Sequence, residues 1–389
     1  MIPKKKILCF IDFYLPGYKS GGPVRSITNF VEQLGNLYDI SIVCRDHDAS
    51  DKASYKEITK DSWNKVGNAS VFYASKNTLT FRGLKRILAE TPYDLLYLNS
   101  FFSYRFTILP LFLRFLKFIP KKPIILAPRG ELSPGALKIK LIKKKIYIFV
   151  VKFFGFYKNL YWQASSSFEK KDILSNLSNI NKTKIFIAPN LTPIIQYKKN
   201  FLQRKDGKLR IVFLSRISPK KNLDFLLSVM LRVKESIDLA IYGVKSDEKY
   251  YKHCMNLIYK LPKNINAEYK GHVPHKEVLS ILSNYDLFVF PTKGENFGHV
   301  IFESLSAGTP VLVSDQTPWY PDNNGSLQVL ELNQHKWVKV INDWSKFDNK
   351  ILIQNRQNAI NYIKSYNLNN FSLKKNKELF SSILNISIV

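Results

Sequence analysis

Residues 287–314 carry the pattern that most narrows the fold. An apolar run, Leu287-Phe288-Val289-Phe290, is closed by Pro291. A polar loop holding Glu295 follows, then a stretch of helical character, Phe297 to Glu303, a turn at Ala307-Gly308, and a second apolar run, Val311-Leu312-Val313. Strands alternating with helices imply a parallel sheet covered on both faces. Ligands of such sheets bind beyond the carboxyl ends of the strands, where the next helix begins. Glu295 falls in that crevice, and the helix amides behind it favour an anion. An acid beside Asn296 and Gly298 suits a ligand carrying both hydroxyls and phosphate. Two surface acids on an ordinary αβ unit are the plainer alternative.

The same alternation runs through the chain twice. Strands are expected at Ile7–Ile11, Ile40–Cys44, Leu95–Leu98, Ile124–Ala127, Tyr161–Ala164 and Ile185–Ala188, with a helix at Val24–Leu34. A polar, basic stretch from about Gln196 to Lys208 reads as a linker. The scheme then restarts with a strand at Arg210–Leu214, a helix at Leu223–Val233, a strand at Leu239–Tyr242, a helix near Tyr250–Tyr259, a strand at Ala267–Tyr269 and a helix at Glu277–Ser283. The final segment, Asn358 to Val389, is helical in pattern. A chain of 389 residues suits two domains of such a kind.

Three widely spaced cysteines, Cys9, Cys44 and Cys254, fit no metal spacing and read as reduced structural thiols. Near the N-terminus, Asp12 and the Pro16-Gly17 turn cut the first apolar run short, so a β-strand is expected there rather than a signal peptide. No apolar stretch approaches the ~20 residues needed to cross a bilayer. The charge is lopsided: 59 Lys+Arg stand against 30 Asp+Glu. Between Tyr104 and Leu160 there are 13 basic residues and one acid, Glu131, interleaved with Phe, Leu, Ile and Tyr. Interfacial membrane binding, nucleic-acid binding and a general lysine-rich composition all account for such a segment, and its apolar content favours lipid over a phosphate backbone.

Other motifs sit where strands pass into helices. Ser215-Arg216-Ile217-Ser218-Pro219-Lys220-Lys221-Asn222 offers a forked cation and a point charge, both suited to phosphate. Ser20-Gly21-Gly22-Pro23 lets a backbone approach a ligand closely at a helix start. It is not the dinucleotide fingerprint. Ala127-Pro128-Arg129-Gly130-Glu131 closes another strand, and Arg129 reads as a contact to phosphate or acceptor, with a structural turn as the alternative. In Gln163-Ala164-Ser165-Ser166-Ser167, one of the last two serines is expected to cap a helix.

Taken together, Glu295 to Glu303 resembles the Glu-x7-Glu region of the retaining GT-B glycosyltransferases, in particular family 4. The resemblance continues through Tyr269-Lys270-Gly271-His272-Val273-Pro274, Asp286 to Pro291, and Thr317-Pro318-Trp319. It implies a GT-B fold, two Rossmann-like domains facing across a cleft: residues 1–197 for the acceptor, 208–365 for the nucleotide sugar, and 366–389 as a helix packing back on the first domain. By position, Glu295 inherits contacts to donor-sugar hydroxyls and Glu303 the nucleotide ribose, with Asn296, Phe297, Gly298 and His299 in the donor loop. Arg216 and Lys221 match an Arg-x4-Lys motif and inherit the diphosphate. The Gly21-Gly22 loop would border donor phosphate and acceptor. Many relatives carry a histidine near Arg129, and several at Asn99, so no histidine-based role is expected here. Asp46-His47-Asp48 spells the Asp-x-Asp that holds Mg or Mn in GT-A transferases, but after the second strand of a different fold no metal role is expected.

The resulting expectation is a retaining glycosyltransferase of hexosyl type. It would take a nucleotide-sugar donor, UDP-linked before GDP-linked, and need no cofactor or metal. The acceptor would be a hydroxyl of a lipid-linked glycan or oligosaccharide in bacterial surface-polysaccharide synthesis (capsule or lipopolysaccharide). The protein would be cytoplasmic and peripheral on an anionic membrane surface, the inner face of the plasma membrane, with no nucleic-acid partner. A same-fold nucleotide-sugar epimerase would need acid/base groups the chain does not show at matching positions. A non-enzymatic basic membrane or nucleic-acid binding protein is the rival of another class.

Overall fold

The computed structural model describes residues 3–49, 51–138, 141–177, 180–193, 207–368 and 370–385, and most of the expected linker lies outside them. Backbone contacts divide the chain into two compact units: Met1–Pro193 with Phe371–Val389, and Ile194–Asn370.

Unit 1 is built on strands β1 (Lys6–Phe10), β2 (Asp39–Arg45), β3 (Trp63–Val66), β4 (Ala69–Ala74), β5 (Leu95–Leu98), β6 (Ile124–Leu126), β7 (Tyr161–Ala164) and β8 (Ile185–Ile187). They hydrogen-bond in the order β3-β4-β2-β1-β5-β6-β7-β8, parallel except for the β3–β4 pair. Alternation along β1 shows why the sheet is covered twice. Leu8 and Phe10 enter one apolar cluster while Ile7 and Cys9 enter another on the opposite face. Helix α1 (Gly22–Leu34) covers the second face with Ile27, Phe30 and Val31; α2 (Phe81–Glu90) covers the first with Leu84, Ile87 and Leu88. Helices α3 (Leu109–Phe115), α4 (Pro134–Lys138), α5 (Leu141–Phe154) and α6 (Ser167–Asn176) follow. Ser166 is the N-cap of α6, its hydroxyl accepting from the Glu169 amide at 3.2 Å.

Unit 2 holds β9 (Leu209–Leu214), β10 (Ile237–Tyr242), β11 (Ile265–Tyr269), β12 (Leu287–Phe290), β13 (Val311–Ser314) and β14 (Leu327–Leu330), ordered β11-β10-β9-β12-β13-β14 and parallel throughout. Its helices are α7 (Leu223–Met230), α8 (Glu248–Ile258), α9 (Val278–Leu282), α10 (His299–Ser306), α11 (Gln334–Ser345) and α12 (Asn349–Leu368). A buried charge cluster ties α12 to the sheet. Asp286 accepts from the Arg210 amide and guanidinium, and its carboxylate stands 3.6 Å from the guanidinium of Arg356. Arg356 also donates to the carbonyls of Ser283 and Tyr285.

The last helix, α13 (Phe371–Leu384), belongs to unit 1. Phe380 packs on Phe30, Tyr38 and Tyr97, and Asn376 bonds to Gln163 and the Pro189 carbonyl.

Among the parallel strands of each sheet the order reverses once. It reverses between β1 and β5 in unit 1 and between β9 and β12 in unit 2, which is where ligands of doubly wound sheets bind. Three expectations need correction. The donor-loop helix starts at His299, not Phe297, because Gly298 takes φ 81° as the N-cap and Phe297 is drawn inward under Trp319. The C-terminal segment is two helices, and α12 starts nine residues before the expected Asn358. The β3–β4 hairpin, β14 and helix α2 add to the expected elements; β3 and β14 are only four residues long and α2 is strongly polar on one side.

Candidate functional site

The unit 2 crevice is stitched from two loops. Because β9 and β12 are hydrogen-bonded neighbours, the segments that leave their carboxyl ends run side by side. The Lys293 amide donates to the Lys220 carbonyl at 2.8 Å, and Asn222 Nδ2 donates to the Pro291 carbonyl at 2.9 Å. Asn222 adopts φ 62°, a left-handed conformation that asparagine tolerates better than most residues, and so turns the chain into α7. Alongside, Gly243 (φ 152°) passes the Ser215 carbonyl so closely that a Cβ there would lie 1.7 Å from the oxygen. Only glycine allows β10 to leave the sheet at that point.

This frame brings Lys221 and Glu295 together. Lys221 Nζ donates to Glu295 Oε1 in a pair whose side chains are only 12% and 13% exposed. The ammonium also lies 5.3 Å from the centroid of the Phe290 ring. The Glu295 amide is fixed on the Gln316 carbonyl at 2.9 Å, and the Thr292 hydroxyl is 3.4 Å from Glu295 Oε1. Arg216 behaves differently. It stands exposed just past β9, with no ion pair among the described residues. The donor loop is anchored by Phe297: Trp319 Nε1 donates to its carbonyl, and its ring stacks at an angle against both Trp319 and His299. His299 is buried at the start of α10. Glu303 is buried further along the same helix, with His275 Nε2 at 3.3 Å from its Oε1. The two acids thus occupy different settings, one in a loop with a lysine and one in a helix beside an imidazole.

The unit 1 crevice gathers around Arg129, which holds a left-handed backbone (φ 56°) at the end of β6. Its guanidinium donates to Asn99 Oδ1 at 2.6 Å, Tyr97 Oη at 2.6 Å, and Asn190 Oδ1. All three acceptors are neutral. Burial pushes the Tyr97 phenol up to about 12 against the opposing pull of Arg129, so it stays protonated at physiological pH. Burial likewise pushes the Cys9 thiol, which accepts from Asn99 Nδ2, up to about 12. The nearby carboxylate of Glu169 accepts from the Gly130 and Ser165 amides instead of the guanidinium. Arg129 therefore sits in a ring of neutral acceptors, with most of its donors directed at protein groups rather than outward. Gly21 (φ 73°) caps α1 beside open space, and Gly22 begins that helix. Asp48 holds this loop by accepting from the Tyr18 and Lys19 amides at 2.8 and 3.1 Å, while Asp46 takes the Ser54 hydroxyl at 2.7 Å. Of the Asp-x-Asp motif, then, Asp48 fixes the segment leading into the glycine loop and Asp46 holds Ser54.

Sequence reasoning missed Tyr97, Asn190 and His275. Tyr97 reads as one more buried strand residue and Asn190 as part of a Pro-Asn turn. His275 lies 28 positions from Glu303, and nothing local signals their meeting.

The comparisons with known proteins agree on this architecture. The family model described as Glycosyl transferases group 1 matches residues 195–365. An uncharacterized 41.2 kDa protein in the cps region of Klebsiella pneumoniae is 24% identical over 307 residues, 76% of this chain and 78% of that protein. The O-antigen chain mannosyltransferase RfbU of Salmonella typhimurium is 23% identical over 205 residues, 52% of this chain and 55% of that one. Among solved structures, Anabaena Alr3699/HepE in complex with UDP and glucose superposes with a TM-score of 0.71 at 13% identity, covering 98% of this chain and all of that one. Residues 195–365 match the glycosyl transferases group 1 model on a chain with the GT-B fold, and the chain is a glycosyltransferase.

Proposed function

We propose that unit 2 binds a nucleotide-diphosphate sugar and that the chain transfers the sugar, with retention of anomeric configuration, to a hydroxyl of a lipid-linked glycan in surface-polysaccharide synthesis. The observation that carries this reading is the Lys221–Glu295 pair at the β9–β12 switch point. A sugar diphosphate matches both halves of the pair: phosphate for the ammonium, ring hydroxyls for the carboxylate. On exchange for the ligand the ammonium gains a phosphate counter-charge and the carboxylate gains hydroxyl donors, so neither is left without a partner.

The remaining roles follow from position. Exposed Arg216 would close on the diphosphate, and the α10 amides beyond Gly298 would face its negative charge. As the bond from the anomeric carbon to the diphosphate oxygen breaks, charge builds on the leaving group, and these donors stabilise it. The acceptor hydroxyl attacks from the same face and its proton passes to the departing phosphate. Glu303, buried and beside His275, would take the ribose. In unit 1, Arg129 and the Gly21-Gly22 loop would contribute electropositive groups toward phosphate or acceptor. UDP is the favoured nucleotide and GDP the alternative. The cps-region and O-antigen relatives support the polysaccharide setting.

The test is a thermal-shift panel of UDP-, GDP- and ADP-sugars, where a ligand at ~100 Kd adds about 2.7 kcal/mol to the native state. Glu303→Ala should weaken the free nucleoside diphosphate, whereas Glu295→Ala should spare it and lower sugar transfer. A chain that binds none of the sugar nucleotides sinks the proposal; nucleotide affinity that depends on Glu295 alone reverses the two acids.

A further inference from the structure

Helix α5 turns a lysine-flanked apolar stripe outward. Ile142, Ile146, Phe149 and Phe153 are 74%, 58%, 70% and 77% exposed, and Val150 is exposed between them. Their spacing, with steps of four, three, one and three, places all five on one side of the helix. The opposite side supplies Ile148 and Val151 to the core of unit 1. At about 100° per residue, Lys143 borders the stripe on one flank and Lys145 and Lys152 on the other. Lys144 does not join them. Its Nζ donates to the Ala136 carbonyl at 2.8 Å and lies 4.8 Å from the Phe102 ring centroid. The patch continues through aromatic contacts: Phe154 meets Phe156 at 5.6 Å, and Phe156 meets Phe115 of α3 at 4.8 Å. Phe112, Phe115 and Phe118 are themselves exposed, with Arg114 and Lys117 among them.

We propose that this face docks on an anionic lipid bilayer, α5 lying in the plane of the interface with its Ile and Phe side chains among the acyl chains and its flanking lysines on headgroup phosphates. Three features select this occupant. A 14-residue helix reaches only about 21 Å against a hydrocarbon core of ~30 Å, so α5 lies on a membrane and does not span it. No described helix is long and apolar enough to cross one. A second copy of the chain would set lysine flank against lysine flank. The segment's one carboxylate, Glu131, faces inward and accepts from Ser100 and the amides of Phe101 and Phe102. Nucleic acid would find few stacking surfaces among Ile142, Ile146 and Val150. The proposal does not depend on the donor chemistry. A chain that failed to bind sugar nucleotides would still dock, so the two readings fail separately.

Co-sedimentation of the full chain with vesicles of phosphatidylglycerol in phosphatidylcholine, against phosphatidylcholine alone, decides the matter. The wild type should bind the anionic vesicles about tenfold or more tightly than the neutral ones at low salt. The Phe149→Ser, Phe153→Ser double variant should lose about tenfold or more at any salt, because it removes inserted surface. Lys143→Gln with Lys145→Gln should lose severalfold at low salt and little at high salt. A Phe153→Trp variant should shift its emission to the blue on anionic vesicles, a readout unaffected if the serine variant folds poorly. Wild type that ignores anionic vesicles at low salt overturns the proposal, as does an emission from the Phe153→Trp variant that stays put. Self-association broken by Phe149→Ser, or tight binding to single-stranded DNA that vesicles do not displace, would overturn it by giving the face another occupant.

Discussion

The crevices of the two units sit at equivalent places in their sheets but treat charge in opposite ways. In unit 2 the lysine at the switch point is paired with a carboxylate, and the scaffold arginine, Arg356, is answered by Asp286. In unit 1 Arg129 is held by an amide from Asn99, an amide from Asn190 and a phenol from Tyr97, none of which cancels its charge. A paired charge can be handed over to a ligand group that replaces its partner, whereas separation without a replacement is costly. A cation in a neutral ring is fixed in place and leaves a standing positive potential. Under the proposed function unit 2 would swap partners with a ligand that carries both phosphate and hydroxyls, whereas unit 1 holds one charge still.

The comparison breaks most severely at the scaffold of unit 2. Asp286→Ala would leave Arg356 buried without its counter-charge and deprive Arg210 of its partner. Removing one member of a buried ion pair costs about 3–5 kcal/mol, and urea unfolding of unit 2 should show a loss of that size. A loss below about 1 kcal/mol would place the pair in the class of surface ion pairs and remove this half of the contrast. The next effect is functional. Arg216→Ala should leave unfolding unchanged, whereas Lys221→Ala should ease the unfolding of unit 2 because it strands the half-buried Glu295 carboxylate. Each should lower turnover by roughly 10²–10³, the loss typical of one transition-state donor. Near-normal turnover in both would mean that these cations do not meet the leaving diphosphate.

Much of this was legible in the sequence, and for identifiable reasons. Buried parallel strands are uninterrupted apolar runs, so Leu287–Phe290 and Leu95–Leu98 stand out with correct bounds. The Lys221 and Glu295 motifs sit next to such strands, and their neighbourhood follows from strand order. What escaped depends on contacts distant in sequence. The start of α10 moved by two residues because Trp319, 22 positions away, draws the Phe297 carbonyl and ring inward. Arg129 could be placed at the end of a strand, but not the ring that engages it, since Tyr97, Asn99 and Asn190 come from two other strand ends. The basic run 143–145 looks uniform in sequence, yet helical phase turns Lys144 inward and leaves only its neighbours on the flanks.

The smallest expected effect tests the neutral ring itself. Tyr97 Oη accepts from Arg129 and donates to Gln163 Oε1, so one hydroxyl joins the guanidinium to a side chain that also bonds α13. Tyr97→Phe removes that oxygen with little change in shape, leaving a guanidinium donor and an amide oxygen short of a partner. Unfolding of unit 1 should be easier by about 1–3 kcal/mol, while the thermal shift with sugar nucleotides should match the wild type if the donor site is confined to unit 2. The pH dependence gives a second readout with a fixed sign. The folded phenol is pushed from its ordinary 10.0 to about 12, so above pH 10 the unfolded chain ionises Tyr97 while the folded chain keeps its proton. Folding then loses stability as pH rises through that window, and phenylalanine is exempt. The advantage of the wild type over Tyr97→Phe should accordingly be full below pH 10 and shrink towards pH 12. A gap that widens instead would mean that the hydroxyl is ionised in the folded state. Arg129 would then have a charged partner after all, and the two crevices would no longer differ in kind.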